Sequence, residues 1–280
     1  MSCVKEKFPP CECCSQHSFD SLREDGGTEP YIVGHNQLLT HAACVEVYKA
    51  KYQAQQNGVI GITFLTEWYA PYSDSEADKM AASRALNFCL DWFMHPLIYG
   101  DYPPIMRDLV KERLPKFTKE EAILIIDSFD FLGVNYYTAK YAKDNSNEVI
   151  PKPSYLTDFC ATLTSERDGI PIGPKADASS WLAAYPQGLE DVLRYIKNYY
   201  KNPIIYVTEN GCLDYDSPQM YELINDKDRI KYYHDHLYNL NESIKAEGDI
   251  PNFLVSHSLI SRTIWKESLK TQQNGSTISS

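Results

Sequence analysis

Three short β-branched runs, each set between long helix-patterned stretches, constrain this chain most. They are GVIGITFL (Gly58–Leu65), DFLGVNYY (Asp130–Tyr137) and PIIYVTENG (Pro203–Gly211). Nearly continuous apolar strands are buried on both faces, and strands separated by helices need crossover connections. Together these features predict a parallel sheet covered by helices. A period near 3.6 predicts helices over His35–Gln56 (Leu38, Ala42, Val45, Tyr52) and from a cap at Asp74-Ser75 to about His95. The second carries the stripe Ala81, Ala85, Phe88 and Trp92. Shorter helices are expected over Ile105–Leu114 and from Thr118. Two more follow, over Gln187–Tyr200 (Leu189, Val192, Leu193, Ile196) and from about Asp226 to Ala246 (Ile230, Tyr233, Leu237, Leu240, Ile244). TEWYAPYSD reads as a loop, Thr138–Ser180 as a long aperiodic connection, and KTQQNGSTISS as a disordered tail.

With 280 residues, the chain has the size of one (β/α)₈ barrel. No G-x-G-x-x-G follows a strand and no G-x-x-x-x-G-K-[ST] occurs, which removes the main support for a nucleotide-binding sheet. An incomplete barrel is the expected fold. A net charge of −11 gains nothing from counterion release on a phosphate backbone, so no nucleic-acid partner is expected. No run approaches the roughly eighteen apolar residues of a membrane span. MSCVKEKFPPCECC has no apolar h-region, so a cytoplasmic location is the default expectation. Cys3, Cys11, Cys13 and Cys14 crowd the start, with only His17 nearby as a further ligand. Zinc patterns require a second ligand pair at a set spacing, so neither a metal nor a disulfide framework is expected there.

On barrels of this kind, chemistry gathers at the C-terminal ends of the strands. Here those ends read Thr66-Glu67-Trp68, Asn135-Tyr136-Tyr137 and Thr208-Glu209-Asn210. Carboxylates, amides and aromatics suit a carbohydrate: rings stack on sugar C–H faces, amides share hydroxyl hydrogen bonds, and carboxylates handle the anomeric carbon and the proton. His35 and His41 are expected to pack or cap within their helix. The H-D-H of His234–His236 is expected to be a solvated face, because neighbours at i and i+2 on a helix point apart.

The IIYVTENG segment resembles the nucleophile motif of the plant β-glucosidases of glycoside hydrolase family 1. In the family's order come TEPYIVGHNQLLTHAACVEVYK, NGVIGITF, GDYPPIMRDLVKERLPKF, DFLGVNYYTAKY, GIPIGPKADASSWLAAYPQGLEDVLRYIKNYYKNPIIYVTENG and DRIKYYHDHLYNL. The resemblance spans Thr28 to Gly248. Around GIPIGP and WLAAYPQGL the wording is similar to that of plant alkaloid-glucoside hydrolases. It implies an α/β fold: an incomplete (β/α)₈ TIM barrel holding roughly strands 5 to 7 or 8 with their helices. The expected divisions are a Cys-rich tail (1–27), the partial barrel (28–248) and a divergent tail (249–280). The implied reaction is retaining hydrolysis of O-β-glucosides, with two carboxyl groups about 5–5.5 Å apart. By resemblance Glu209 is the nucleophile, and Tyr137 donates the hydrogen bond that orients it and keeps it ionised. Asn135 belongs to the supporting shell, and Trp181 forms a wall of the aglycone slot. No cofactor and no metal are implied.

Four family features find no match in these residues, among them the strand-one glutamine and strand-three histidine that bind the glucose unit in the family. The acid/base glutamate lies in a T-[FL]-N-E-P motif at the end of the fourth strand. Thr28-Glu29-Pro30 only echoes it, because its continuation YIVGHN belongs to a later segment. The W-S-x-x-D-N-x-E-W stretch that binds the sugar is replaced by DIPNFLVSHSLISRTIWKE. Glu67 is not expected to substitute as the acid. The expectation is therefore a family member that keeps its nucleophile and is inactive alone. Its partners are a β-glucoside if it is active, or else a full-length family glucosidase or a second copy docking on open strand edges.

Overall fold

Helix α1 (Glu29–Lys51) starts at Glu29 rather than His35. Pro30 sits in its first turn, where a missing N–H costs nothing. Glu29 at its start and Lys49 and Lys51 at its end complement the helix dipole. Tyr31, His35, Leu38, Ala42 and Val45 form its buried face. Tyr52, expected on that face, is instead 48% exposed. The chain kinks there into the single turn α2 (Gln53–Gln56), closed by Asn57 in the left-handed region.

The computed structural model describes residues 26–149, 152–175, 182–212, 226–247 and 253–255. They form two compact units. One holds the described residues up to Leu65, with Tyr69–Asp130 and Ala142–Leu163. The other holds Thr66–Trp68, Phe131–Tyr141 and the described residues from Thr164 onward. The N-terminal cysteine cluster, Trp181 and the polar C-terminal tail lie outside the described residues.

In the first unit, α3 (Glu76–Leu86) is capped by Ser75, whose hydroxyl accepts from the Asp78 N–H at 3.2 Å. The predicted single helix to His95 is broken by a π-helical turn over Asn87–Asp91, after which α4 (Trp92–Tyr99) runs to Gly100. A π turn adds a residue to the helical repeat. It brings Phe88, Leu90, Asp91, Trp92, Phe93 and Met94 all into buried positions, which no fixed 3.6-residue stripe allows. Helix α5 (Pro104–Val110) ends before Leu114 in a 3₁₀ turn, and α6 (Lys119–Ile125) opens with a capping box between Thr118 and Glu121. His35 stacks on Phe117 at 4.3 Å and meets the Tyr102 hydroxyl at 3.0 Å, while His41 reaches the Ser128 carbonyl at 2.7 Å. Both are packing histidines, as expected.

The strands are longer than the apolar runs suggest. Strand β1 covers Gly61–Pro71 and takes in part of the expected loop TEWYAPYSD; β2 covers Phe131–Asp144, well beyond Tyr137. Ala139 and Ala142 are buried in the β2 extension, and alanine carries little strand propensity. The residues expected to be aperiodic also hold β3 (Ala161–Thr164) and a hairpin of β4 (Glu166–Arg167) and β5 (Ile170–Pro171). Asp168 and Gly169, both at positive φ, make that turn.

The main sheet has the order β1-β2-β6-β7, with β3 on β2. Here β6 is Ile205–Asn210 and β7 is Phe253–Val255. Both β2–β6 and β6–β7 are parallel. Helix α7 (Pro186–Tyr199) precedes β6 and α8 (Lys227–Glu247) follows it, as crossovers between parallel strands demand. Leu189, Val192, Leu193 and Ile196 are buried, as their spacing predicts. Gly188 starts this helix where an added Cβ would stand 2.2 Å from the Tyr136 hydroxyl oxygen and 2.9 Å from the Trp68 Cβ. We expect Gly188→Ala to cost about 1–3 kcal/mol through overpacking, read as a lower urea midpoint at unchanged slope.

The face of α8 differs from expectation. Tyr232, His236 and Leu240 are buried, whereas Ile230 and Leu237 are 37% and 40% exposed. His236 is thus no part of a solvated face; only His234 points outward. An aromatic and an imidazole fill the buried stripe because both ring bodies pack: they stack with centroids 4.1 Å apart. A period count over aliphatic residues ignores them. None of the described helices is long and apolar enough to cross a membrane.

Candidate active site

The middle of β2 and the C-terminal end of β6 lie side by side in the second unit, and a register slip sets what they present. Val134 pairs with Val207, but Asn135 pairs with Glu209, so Thr208 is the extra residue of a bulge. On β6, Ile205 and Val207 are buried. Strict alternation would send residue 209 to that same covered side. The bulge instead leaves Glu209 exposed and returns Asn210 to the buried side.

The bulge is secured from β2. The Thr208 hydroxyl donates to Asn135 Oδ1 at 2.6 Å, and the Thr66 hydroxyl donates to the Asn135 carbonyl at 3.0 Å. Asn135 therefore pins the irregular register rather than standing free. The Tyr137 hydroxyl donates to Glu209 Oε2. Burial first, and this hydrogen bond second, push the Tyr137 phenol well above its ordinary range. It remains a proton-bearing donor, which fixes one carboxylate oxygen and leaves the other for chemistry.

Of the residues singled out from sequence, Glu209, Tyr137 and Asn135 are brought together, and Trp181 lies outside the described residues. Glu67 is engaged elsewhere: Lys140 Nζ donates to both of its carboxylate oxygens, at 3.0 and 2.9 Å. Lys140 stands on β2 in phase with Tyr136 and Thr138, on the opposite side from Tyr137. That ion pair occupies both carboxylate oxygens of Glu67. Among the described residues, no group of three His, Cys, Asp or Glu side chains is arranged to hold a metal ion.

Sequence reading missed two further participants. Asn210 Nδ2 donates to the Tyr136 carbonyl at 2.8 Å and to the Tyr232 hydroxyl at 3.1 Å. Tyr232 in turn donates to the Tyr137 carbonyl at 2.7 Å. The buried i, i+4, i+8 series Tyr232, His236 and Leu240 was the available signal.

The result is a parallel sheet with helical crossovers and a phenol-tethered carboxylate beside the register slip. The profile of Glycosyl hydrolase family 1 matches residues 4–274, and the chain belongs to that family. It is 46% identical over 260 residues to Beta-glucosidase 12 of Oryza sativa subsp. indica, covering 92% of this chain and 51% of that protein. It is 44% identical over 262 residues to the isoflavonoid 7-O-beta-apiosyl-glucoside beta-glycosidase of Dalbergia nigrescens, covering 93% and 48%. The chain spans about half the length of the curated relatives it matches. Among solved structures, the rice Os3BGlu6 β-glucosidase superposes with a TM-score of 0.79 at 39% identity, over 84% of this chain and 50% of that one. A single-residue variant of the same rice enzyme, in a covalent complex with glucose, superposes at 0.84 with 36% identity over 91% and 55%. These neighbours are (β/α)₈ barrels, and this chain forms part of such a barrel.

Proposed function

We propose that these 280 residues carry the nucleophile half of a retaining β-glucosidase site and do not hydrolyse unactivated glucosides on their own. Residues 28–248 supply roughly strands 5 to 7 or 8 of the barrel, flanked by the segments 1–27 and 249–280. Glu209 attacks the anomeric carbon of a β-glucoside. Tyr137 orients it, Asn135 supports it through the Thr208 bulge, and Trp181 walls the aglycone. One observation carries the reading: a phenol held in its protonated form donates to the carboxylate at the end of a barrel strand. The covalent glucose complex of the rice variant supports the same type of chemistry.

The proposal separates two half-steps. Departure of an ordinary alkoxide needs a proton donor, whose removal costs about 10²–10⁴-fold. A 2,4-dinitrophenolate leaves without one. We therefore expect 2,4-dinitrophenyl 2-deoxy-2-fluoro-β-glucoside to label the chain. The Glu209 oxygen–C1 bond forms, the C1–O aryl bond breaks, and dinitrophenolate departs. Peptide mass spectrometry should place one fluoroglucosyl group on Glu209 and none on the Glu209→Gln variant. Octyl β-glucoside, whose leaving group is an ordinary alkoxide, should not turn over. An unlabelled Glu209 overturns the nucleophile assignment; turnover that disappears in Glu209→Ala overturns the claim of inactivity.

A second reading is favoured by the position of β1, which among the described residues is one of the two end strands of the order β1-β2-β6-β7, with Leu65 46% exposed. An outer strand is a template for another chain. In this reading the protein pairs with a full-length family glucosidase or with itself. Co-elution with such a glucosidase on size exclusion supports it, and a monomer that ignores the glucosidase rejects it.

A further inference from the structure

The regular pairing of β2 with β6 ends at Tyr136 and Asn210, one residue short of Tyr137 and one beyond Glu209. The next peptides therefore need another support. That support comes from a side chain on α8. The Tyr232 hydroxyl donates to the Tyr137 carbonyl at 2.7 Å, accepts from Asn210 Nδ2 at 3.1 Å, and takes a further hydrogen bond from the Gly211 backbone. Asn210 Nδ2 also donates to the Tyr136 carbonyl at 2.8 Å. A hydroxyl has one proton and two lone pairs, so every hydrogen-bonding capacity of this phenol is used. Its targets are the backbone of the residue that grips Glu209 and the two residues that follow Glu209.

We infer that Tyr232 is a positioning residue for the Glu209 carboxylate, its hydroxyl joining β2 to the end of β6 where their ladder stops. The inference rests on the reading of Glu209 as the nucleophile. The ring is 2% exposed and packs with Leu182, Tyr233 and Cys212, so the ring anchors α8 while the hydroxyl sets the site. Burial also keeps the phenol protonated, well above its ordinary range. Because the two roles sit on different atoms, they can be separated experimentally.

Tyr232→Phe keeps the ring and removes the hydroxyl. In the intact chain, the maximal rate of Glu209 labelling by the dinitrophenyl fluoroglucoside should fall by about 10- to 100-fold, the scale of a small misplacement of a reacting group. The half-saturating concentration should stay within a factor of about 2, because uniform binding is untouched. Leu240→Ala, which loosens α8 from a buried position two turns further along, serves as the structural comparison. Assayed well below its melting point, it should label at the parental rate. A Tyr232→Phe chain that labels normally, or a Leu240→Ala chain that is slowed equally, overturns the inference. A second readout does not depend on labelling: the downfield hydroxyl proton of Tyr137, assigned by its loss in Glu209→Gln. If the parent chain cannot be labelled, the nucleophile reading fails, and this resonance alone decides the role of Tyr232. Movement or broadening in Tyr232→Phe but not in Leu240→Ala supports it, and an unchanged resonance rejects it.

Discussion

Asp158→Ala is expected to lower the unfolding free energy by about 3–5 kcal/mol, the usual cost of stripping one partner from a buried ion pair. Asp158 is 7% exposed. Arg113 grips it with two parallel bonds, Nη1 to Oδ2 at 2.7 Å and Nη2 to Oδ1 at 2.8 Å, and the Tyr31 hydroxyl donates to Oδ2 at 2.7 Å. Arg113 also reaches the Gly27 carbonyl at 2.8 Å and lies over the Tyr31 ring. Truncation leaves a partly exposed guanidinium and a fully buried phenol facing a void; the phenol loses its acceptor, and Arg113 keeps only the Gly27 carbonyl. Urea unfolding of Asp158→Ala measures the loss, and the double variant Asp158→Ala with Arg113→Met should recover much of it. If the single variant loses less than about 1 kcal/mol, the cluster does not hold this part of the chain together.

Acid should weaken the second unit through His236. Its side chain is fully buried. The Nδ1 atom lies 2.8 Å from the Tyr232 carbonyl, while the buried Nε2 has no partner. Burial pushes the imidazole down to about 4, against a small upward pull from that carbonyl bond and from Asp235. An unfolded histidine titrates near its ordinary value of about 6.5. Between those two values the unfolded chain binds a proton that the folded chain refuses, so stability rises with pH across the window and is flat above it. The expected loss from pH 7 to pH 4 is on the order of 3 kcal/mol from this residue. Denaturant midpoints measured across pH 4–7 should show that slope in the parent chain and a flatter one in His236→Phe, which keeps a ring against Tyr232. Equal slopes in both would assign the acid sensitivity to other groups.

Much of the barrel arc was readable because its signals are local. Apolar strands, Ser75 and Thr118 caps and the α7 stripe all announce themselves within a few residues, and the structure reproduces them. Three features resisted for definable reasons. The β2 extension is built from alanine, lysine and tyrosine, whose strand character comes from the neighbours they meet. The segment around Asp158 has no period because its order comes from arginines far away in sequence: Arg113 holds the carboxylate, and Arg84 holds the Phe159 and Cys160 carbonyls at 2.8 and 2.7 Å. The α8 stripe was misphased because a tyrosine and a histidine, not aliphatics, occupy its buried line. At the site, T-E-N-G at a strand end pointed to Glu209 and N-Y-Y to its phenol partner. The support from Tyr232 arrives across the fold, and no spacing near the motif encodes it.

One surplus residue decides which way the strand faces at its tip. Were Thr208 paired in a regular ladder instead of standing as the extra residue, Glu209 would fall two places after Val207, and the acidic group would rotate into the oily layer between sheet and helices. Such a chain would keep its framework while losing its chemical handle. In strand β6, the side on which Glu209 emerges is thus a matter of counting as well as of composition.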